Sequence, residues 1–240
     1  MTCFPKRDVA LSEQTTLLAQ CSKNAADGVW ITGYGGAFEL EIETPNSTTL
    51  ATLDSVFPNN PVVIMDWASH SQFVNSLAYE KAGLTKGSAN PQGGVYLKDQ
   101  NGDLNGILMD NAGDMMMELA VNSMAGRMES TLFGIENGLN QAKSNGITTI
   151  GDGRTYWRQG VFEAWQQVAK EKKLTTRISI RPWIYPNVDK TEQLEFLAKT
   201  FQNDINELLI VNQVKMYIDG MPEYSTARVI EPYEFTWFDG

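Results

Sequence analysis

The chain has 240 residues, 42% of them hydrophobic and 20% charged, with a mean hydropathy of −0.28, the profile of a globular protein able to bury a sizeable core. Its 29 acidic residues against 19 basic ones leave a net charge of −10 with no basic stripe, which argues against nucleic acid and anionic membrane surfaces as partners. Cys3 and Cys21 are too few for a thiolate metal cluster or a disulfide framework, and neither a leader-like N-terminal segment nor a run of about eighteen apolar residues is present, so reduced thiols and a cytoplasmic location are expected.

In chain order, the first expected strand is VWITGY at 29–34, followed by a glycine-rich loop, GYGGAF. That loop lacks the Lys-Ser/Thr of a phosphate loop and the complete dinucleotide fingerprint. A second strand, PVVIMD at 61–66, runs into DWASHSQFVNS, which holds the single histidine, His70. A helix is expected after Ser71, with Phe73, Val74, Leu77 and Ala78 on one face and Gly83 as its stop. Residues 93–110 place two strand-like runs around Asn101-Gly102, a hairpin signal, and read as a β-hairpin inserted into an α/β framework. Met115 to Met117 read as core or hairpin cover. Met128, Leu132, Ile135, Leu139 and Ala142 repeat at helical spacing up to Gly146. Strands are expected at 146–152 and 176–184, and between 184 and 214 Asp189 caps a helix carrying Leu194, Leu197, Ala198 and Phe201 on one side, with Glu192 in its first turn. The last expected strand, VKMYID at 214–219, puts Val214, Met216 and Ile218 on one face and Lys215, Tyr217 and Asp219 on the other. Strand followed by helix, repeated, implies a parallel sheet with crossover helices.

Each candidate functional residue has a plain alternative. His70 follows a buried-looking strand, where α/β active sites gather, yet Ser69 or Ser71 could cap a helix and leave it an ordinary polar residue. Asp152, between glycines after a strand, suits a catalytic or substrate-binding carboxylate as well as a tight turn. Lys215 suits the lumen of a βα barrel if paired or modified, and suits an edge strand facing water or paired with Asp219. A Gly-x-Ser-x-Gly elbow is missing, which disfavours a Ser-His-Asp hydrolase.

Taken together, DGVWITGYGG, the 53–85 segment LDSVFPNNPVVIMDWASHSQFVNSLAYEKAGLT, NPQGGVYLKDQNGDLNGILMDNA, GITTIGDG and VKMYIDGMPEYSTARVIEPY resemble, in that order, the third family of amidohydrolases, metal-dependent hydrolases that take in formamide deformylases. The resemblance spans nearly the whole chain. It implies a distorted (β/α)₈ barrel, usually joined to a small β-sandwich, with one or two divalent metals, zinc among them, activating water to hydrolyse amide or formamide-like C–N bonds. It implies further that Lys215 is the carboxylated lysine bridging the metals, that Asp219 orients Lys215 or its loop, and that His70, with Asp152 and Tyr217, lines the substrate pocket. Asp110 stands where family members often carry Glu, so no role is carried over to it. The family's His-x-His strand and later histidines have no counterpart in these 240 residues, which therefore read as the central part of a barrel domain, lacking the sandwich and the terminal strands. Two further expectations follow: poor solubility or oligomerisation of the isolated piece through open sheet edges, and, as the alternative function, a non-catalytic remnant or binding module.

Overall fold

Four apolar residues, Val62 to Met65, make the spine of the first sheet. The computed structural model describes residues 2–42 and 49–236. The strands are β1 (Thr2–Cys3), β2 (Ile31–Tyr34), β3 (Val62–Met65), β4 (Ser71–Val74), β5 (Gly94–Lys98), β6 (Leu104–Asp110), β7 (Thr149–Thr155), β8 (Arg177–Pro182) and β9 (Leu209–Ile210). The helices are α1 (Thr15–Ser22), α2 (Phe38–Ile42), α3 (Thr49–Val56), α4 (Ser76–Ala82), α5 (Asn111–Asn122), α6 (Arg127–Ser144), α7 (Val161–Lys170) and α8 (Lys190–Thr200). They fall into two units, one made of residues 1–124 and 219–240, the other of 125–218. The class is mixed α/β; a closed barrel is not seen among the described residues. No helix of the described residues is long and apolar enough to cross a membrane.

In the first unit the sheet order is β1-β2-β3-β4-β6-β5, with β1, β2 and β3 parallel and the rest antiparallel. Two apolar layers cover its faces, one around Leu11, Phe38, Ile64 and Phe73, the other around Val63, Val74, Leu108 and Met116. The expected hairpin is present: Gly102 takes φ +77, and Asp99 accepts from the Asn101 and Asp103 amides at 2.8 and 2.9 Å. Its second strand, β6, pairs with β4, so the hairpin extends the main sheet. Met116 is buried beside that hairpin and Met117 packs partly against it, as the run suggested, while Met115 is exposed. The segment after Ser71 is a strand, and the helix starts at Ser76 behind Asn75, whose side chain accepts from the Ala78 and Val62 amides. A fully buried strand of four residues carries no periodicity that separates it from a helix turn.

In the second unit β7, β8 and β9 form a parallel sheet covered by α6 and α7 through Ile135, Leu139, Phe162, Trp165 and Val168. The α6 helix and its Gly146 stop, in the left-handed region at φ +69, match the sequence pattern. So does the Asp189 cap on α8, which accepts from the Thr191 and Glu192 amides. The buried face of α8 differs: Leu194 and Phe201 are exposed, and Gln193 turns inward because its amide serves Tyr185 and Val188 of the preceding loop. Residues 214–219 form no strand among the described residues. A single parallel bridge joins Lys215 to Trp183, and Met216 and Ile218 are exposed, since alternation without a neighbouring ladder does not hold a strand. Of the terminal aromatics, Phe235 is exposed, while Trp237 and Phe238 lie outside the described residues.

The two cysteines are also not the separate thiols expected: Cys3 of β1 and Cys21 of α1 form a disulfide. The bond pins a two-residue edge strand to the helix behind it, and it runs against the expectation of a reducing compartment. Reduction is expected to lower stability by about 3 kcal/mol, read as the shift in urea unfolding with and without reductant, and thiol titration of the unreduced, denatured chain should find no reactive cysteine. Close packing gives a second outcome: a β-carbon at Gly94 would lie 2.2 Å from the Ala112 amide nitrogen at the start of α5. Gly94→Ala should therefore cost about 3 kcal/mol or more in the same assay, since neither backbone can yield cheaply.

Candidate functional site

The turn between β3 and β4 is organised by one buried carboxylate. Asp66 ends the apolar β3 run, and its Oδ1 accepts the backbone N–H groups of both His70 and Ser71 at 3.0 Å. Its Oδ2 accepts the hydroxyl of Tyr224, a residue 158 positions later. The loop is closed further by Asp66 N–H to Ser71 O and Ser69 N–H to Asp66 O, and Ser69 adopts φ +65. His70 is thereby held at the end of the parallel strands β2 and β3, not on a helix. Its Nδ1 lies 2.6 Å from Oδ1 of Asp110, the last residue of β6, and both side chains are about one-fifth exposed, at 22% each. The Arg7 guanidinium stacks 3.2 Å from the Trp67 ring centroid, and the Tyr34 hydroxyl donates to the Trp67 carbonyl at 2.7 Å. Tyr224 packs on Phe38 and presents a ring edge to His70, with centroids 4.7 and 6.3 Å apart.

Burial, then the Asp66 carboxylate, pushes the Tyr224 hydroxyl above its ordinary value of 10.0, with Glu39 and Asp110 adding to the shift. Burial likewise raises Tyr79, whose oxygen accepts the Gly106 amide. Tyr224 thus stays a donor to Asp66, and an uncompensated buried carboxylate is avoided.

In the second unit Arg154, next to last in β7, lies among aromatic rings, its Cζ 4.6, 5.2 and 5.3 Å from the centroids of Tyr156, Trp183 and Tyr217. Lys215 is fixed by its backbone, N–H to Pro182 O at 3.0 Å and O from Ile184 N–H at 2.9 Å, just beyond the C-terminal end of β8, and its Nζ lies 4.6 Å from the Tyr217 centroid. Lys215 and Tyr217 are therefore neighbours. Asp152 faces α7, accepting the Trp165 indole N–H at 3.2 Å. The Asp219 carboxylate accepts the Arg228 amide at 3.0 Å and so organises its own loop. Sequence reasoning passed over Asp66 and Tyr224 and discounted Asp110. An acid directly after four apolar residues was the one local signal for Asp66, and nothing local marks Tyr224.

The family model described as "Amidohydrolase family" matches residues 5–239. The chain belongs to the amidohydrolase family. It is 28% identical over 210 residues to amidohydrolase YtcJ of Bacillus subtilis, covering 85% of this chain and 37% of that one. LONG AFTER FAR-RED 3 of Arabidopsis thaliana is 25% identical over 215 residues, 88% of this chain and 36% of its own. N-substituted formamide deformylase of Arthrobacter pascens is 27% identical over 143 residues, 59% and 26% respectively. Among solved structures, a metal-dependent hydrolase of Pyrococcus horikoshii aligns with TM-score 0.55 at 17% identity, over 92% of this chain and 39% of its own, and a second from Pyrococcus furiosus with 0.54 at 15%, over 92% and 41%. The amidohydrolase chain thus spans about a third of the curated relatives it matches.

Those neighbours are named for a metal, and the donor set here falls short of one. Among the described residues no three His, Cys, Asp or Glu side chains gather as a ligand group. Lys215, if carboxylated, would be one oxygen donor where a divalent ion takes four or more. The residues present do not hold a metal by themselves, and no chemical step is derived through one.

The raised Tyr224 hydroxyl has a pH consequence. A group whose folded value lies above its unfolded value stabilises the fold fully below the unfolded value and loses that contribution as pH rises past it. Stability should fall above pH 10, the ordinary tyrosine value, with up to one proton fewer in the slope for Tyr224→Phe, while Tyr224→Phe should cost about 1.5–3 kcal/mol at neutral pH. Urea unfolding across the alkaline range measures both.

Proposed function

We propose that this chain is part of a metal-dependent amidohydrolase that cleaves C–N bonds of small amide or formamide-like substrates, with a partial (β/α)₈ barrel as its framework. The observation that carries this reading is the family match over 5–239 together with a carboxylate-held histidine at the ends of parallel strands, where α/β folds bind ligands. In this reading His70 makes a polar contact to the substrate amide. Lys215, converted to a carbamate, supplies one oxygen toward zinc or a similar ion whose other ligands come from elsewhere in a longer protein. Tyr217 flanks Lys215 and the substrate. Asp152 and Asp219 support α7 and the 219–228 loop, as their hydrogen bonds indicate. A net charge of −10 suits a small-molecule substrate better than a nucleic acid or membrane partner. The second reading, a binding module without catalysis, is favoured by the lack of a three-ligand cluster among the described residues.

Incubating the chain with an N-alkyl formamide, with and without Zn²⁺, and following amine release separates the two. Zinc-dependent release that Lys215→Ala lowers at least a hundredfold supports the hydrolase. Formamide binding without release, weakened about tenfold in His70→Ala as expected for loss of one hydrogen bond, supports the binding module. Absence of both release and binding rejects each.

A further inference from the structure

We infer that the second unit carries a binding site for small monocarboxylates with an apolar tail, Arg181 and Gln213 taking the carboxylate and Leu197, Phe201, Val211 and Val214 taking the tail. All six line one cleft of about 510 Å³, bordered by the end of β8, by α8 with its C-terminal Phe201, and by the chain that leaves β9. That volume lies within the range of small-molecule sites. The site belongs to residues 125–218 by themselves, so it goes beyond both readings of the chain's function.

Charge carries the first part of the argument. Arg181 is the one ionisable residue of the described lining, and among the described residues it pairs with no carboxylate. Other arginines of the same unit are engaged: Arg158 pairs with Glu192 at 3.0 Å, and Arg177 gives Nη1 to the carbonyls of Ile205 and Glu207 at 3.1 and 2.9 Å. Arg181 donates only Nε, to Oε1 of Gln213. Its two Nη groups and the side-chain N–H groups of Gln213 are left as donors, and paired guanidinium N–H groups match the two oxygens of a carboxylate.

The guanidinium is also held in place. A β-carbon at Gly151 of β7 would lie 2.5 Å from Nη1, so this glycine leaves the room that the charged group occupies, while Gln213 ties Nε from beyond β9. A donor fixed before the ligand arrives loses less side-chain freedom on binding.

The walls select the tail. Val211 is buried, yet Phe201 and Val214 on the same cleft are 64% and 46% exposed, apolar surface that a hydrocarbon chain would cover. One positive charge beside an apolar wall suits a singly charged headgroup; a phosphate dianion or a dicarboxylate would set a further charge against Leu197 and Val214.

Calorimetric titration of the full chain with hexanoate, butyrate and hexanamide tests the site. Hexanamide keeps the tail and lacks the charge. Hexanoate should bind at least tenfold more tightly than hexanamide, as loss of a charge-assisted hydrogen bond implies. It should also bind about tenfold more tightly than butyrate, since each fully buried methylene is worth about fourfold. Arg181→Gln should bring hexanoate to the level of hexanamide and leave hexanamide unchanged. Gly151→Ala, which displaces the guanidinium and keeps its charge, should weaken hexanoate alone, whereas Phe201→Ala should weaken both six-carbon ligands by the same factor. Equal binding of hexanoate and hexanamide would overturn carboxylate recognition, and equal binding of hexanoate and butyrate would overturn the role of the walls. Absence of hexanoate binding would overturn the site as a whole. The three ligands are compared on the native chain, so these outcomes stand even where a variant fails to fold.

Discussion

The buried carboxylate of Asp66 is the constraint around which the first unit is arranged. An ionised acid away from water costs several kcal/mol unless every lone pair finds a donor, and Asp66 finds three, from the His70 and Ser71 main chain and from Tyr224. Those donors dictate geometry: two consecutive amides aimed at one oxygen force the tight turn from β3 into β4, and that turn reverses the chain so that the sheet continues antiparallel. The reversal brings the end of β6 beside His70. The pairing of His70 with Asp110 is thus a consequence of satisfying a neighbouring charge.

The same logic separates what was legible in the sequence from what was not. Long-period patterns with local caps could be read directly: α6 with its glycine stop, α8 behind Asp189, the hairpin at Asn101-Gly102. In each the deciding contact lies within a few residues, as in the bonds from Asp99 to Asn101 and Asp103. Phe73 and Val74 misled because burial on both faces erases alternation, while residues 214–219 misled in the opposite sense, alternating without a ladder to pair with beyond Lys215. The site was less legible still. His70 was visible as the single histidine of the chain, but its partner lies 40 positions away, and the hydroxyl that donates to Asp66 lies 158 away. The disulfide escaped because two cysteines make no pattern.

Family membership and local geometry constrain function from different directions. The amidohydrolase match gives the family, and the described residues give what each unit holds by itself. The first unit holds His70 paired with Asp110, and the second holds Lys215 beside Tyr217 at the end of a parallel strand. The metal-ligand deficit is consistent with a chain that matches about a third of its curated relatives, because barrel active sites draw residues from many strand ends.

The distance in sequence between Asp66 and Tyr224 also sets an order of events during synthesis. At about 5–20 residues per second, roughly 8–30 seconds separate the emergence of the acid from that of the tyrosine. Within that interval all of residues 125–218 are made. The early strands can pair and the Cys3–Cys21 bond can close while the oxygen meant for Tyr224 still faces solvent. The loop that carries His70 is therefore among the last parts of its unit to be completed, and a ribosome that stalls before residue 224 leaves a nascent chain with one oxygen of Asp66 still without its hydroxyl donor.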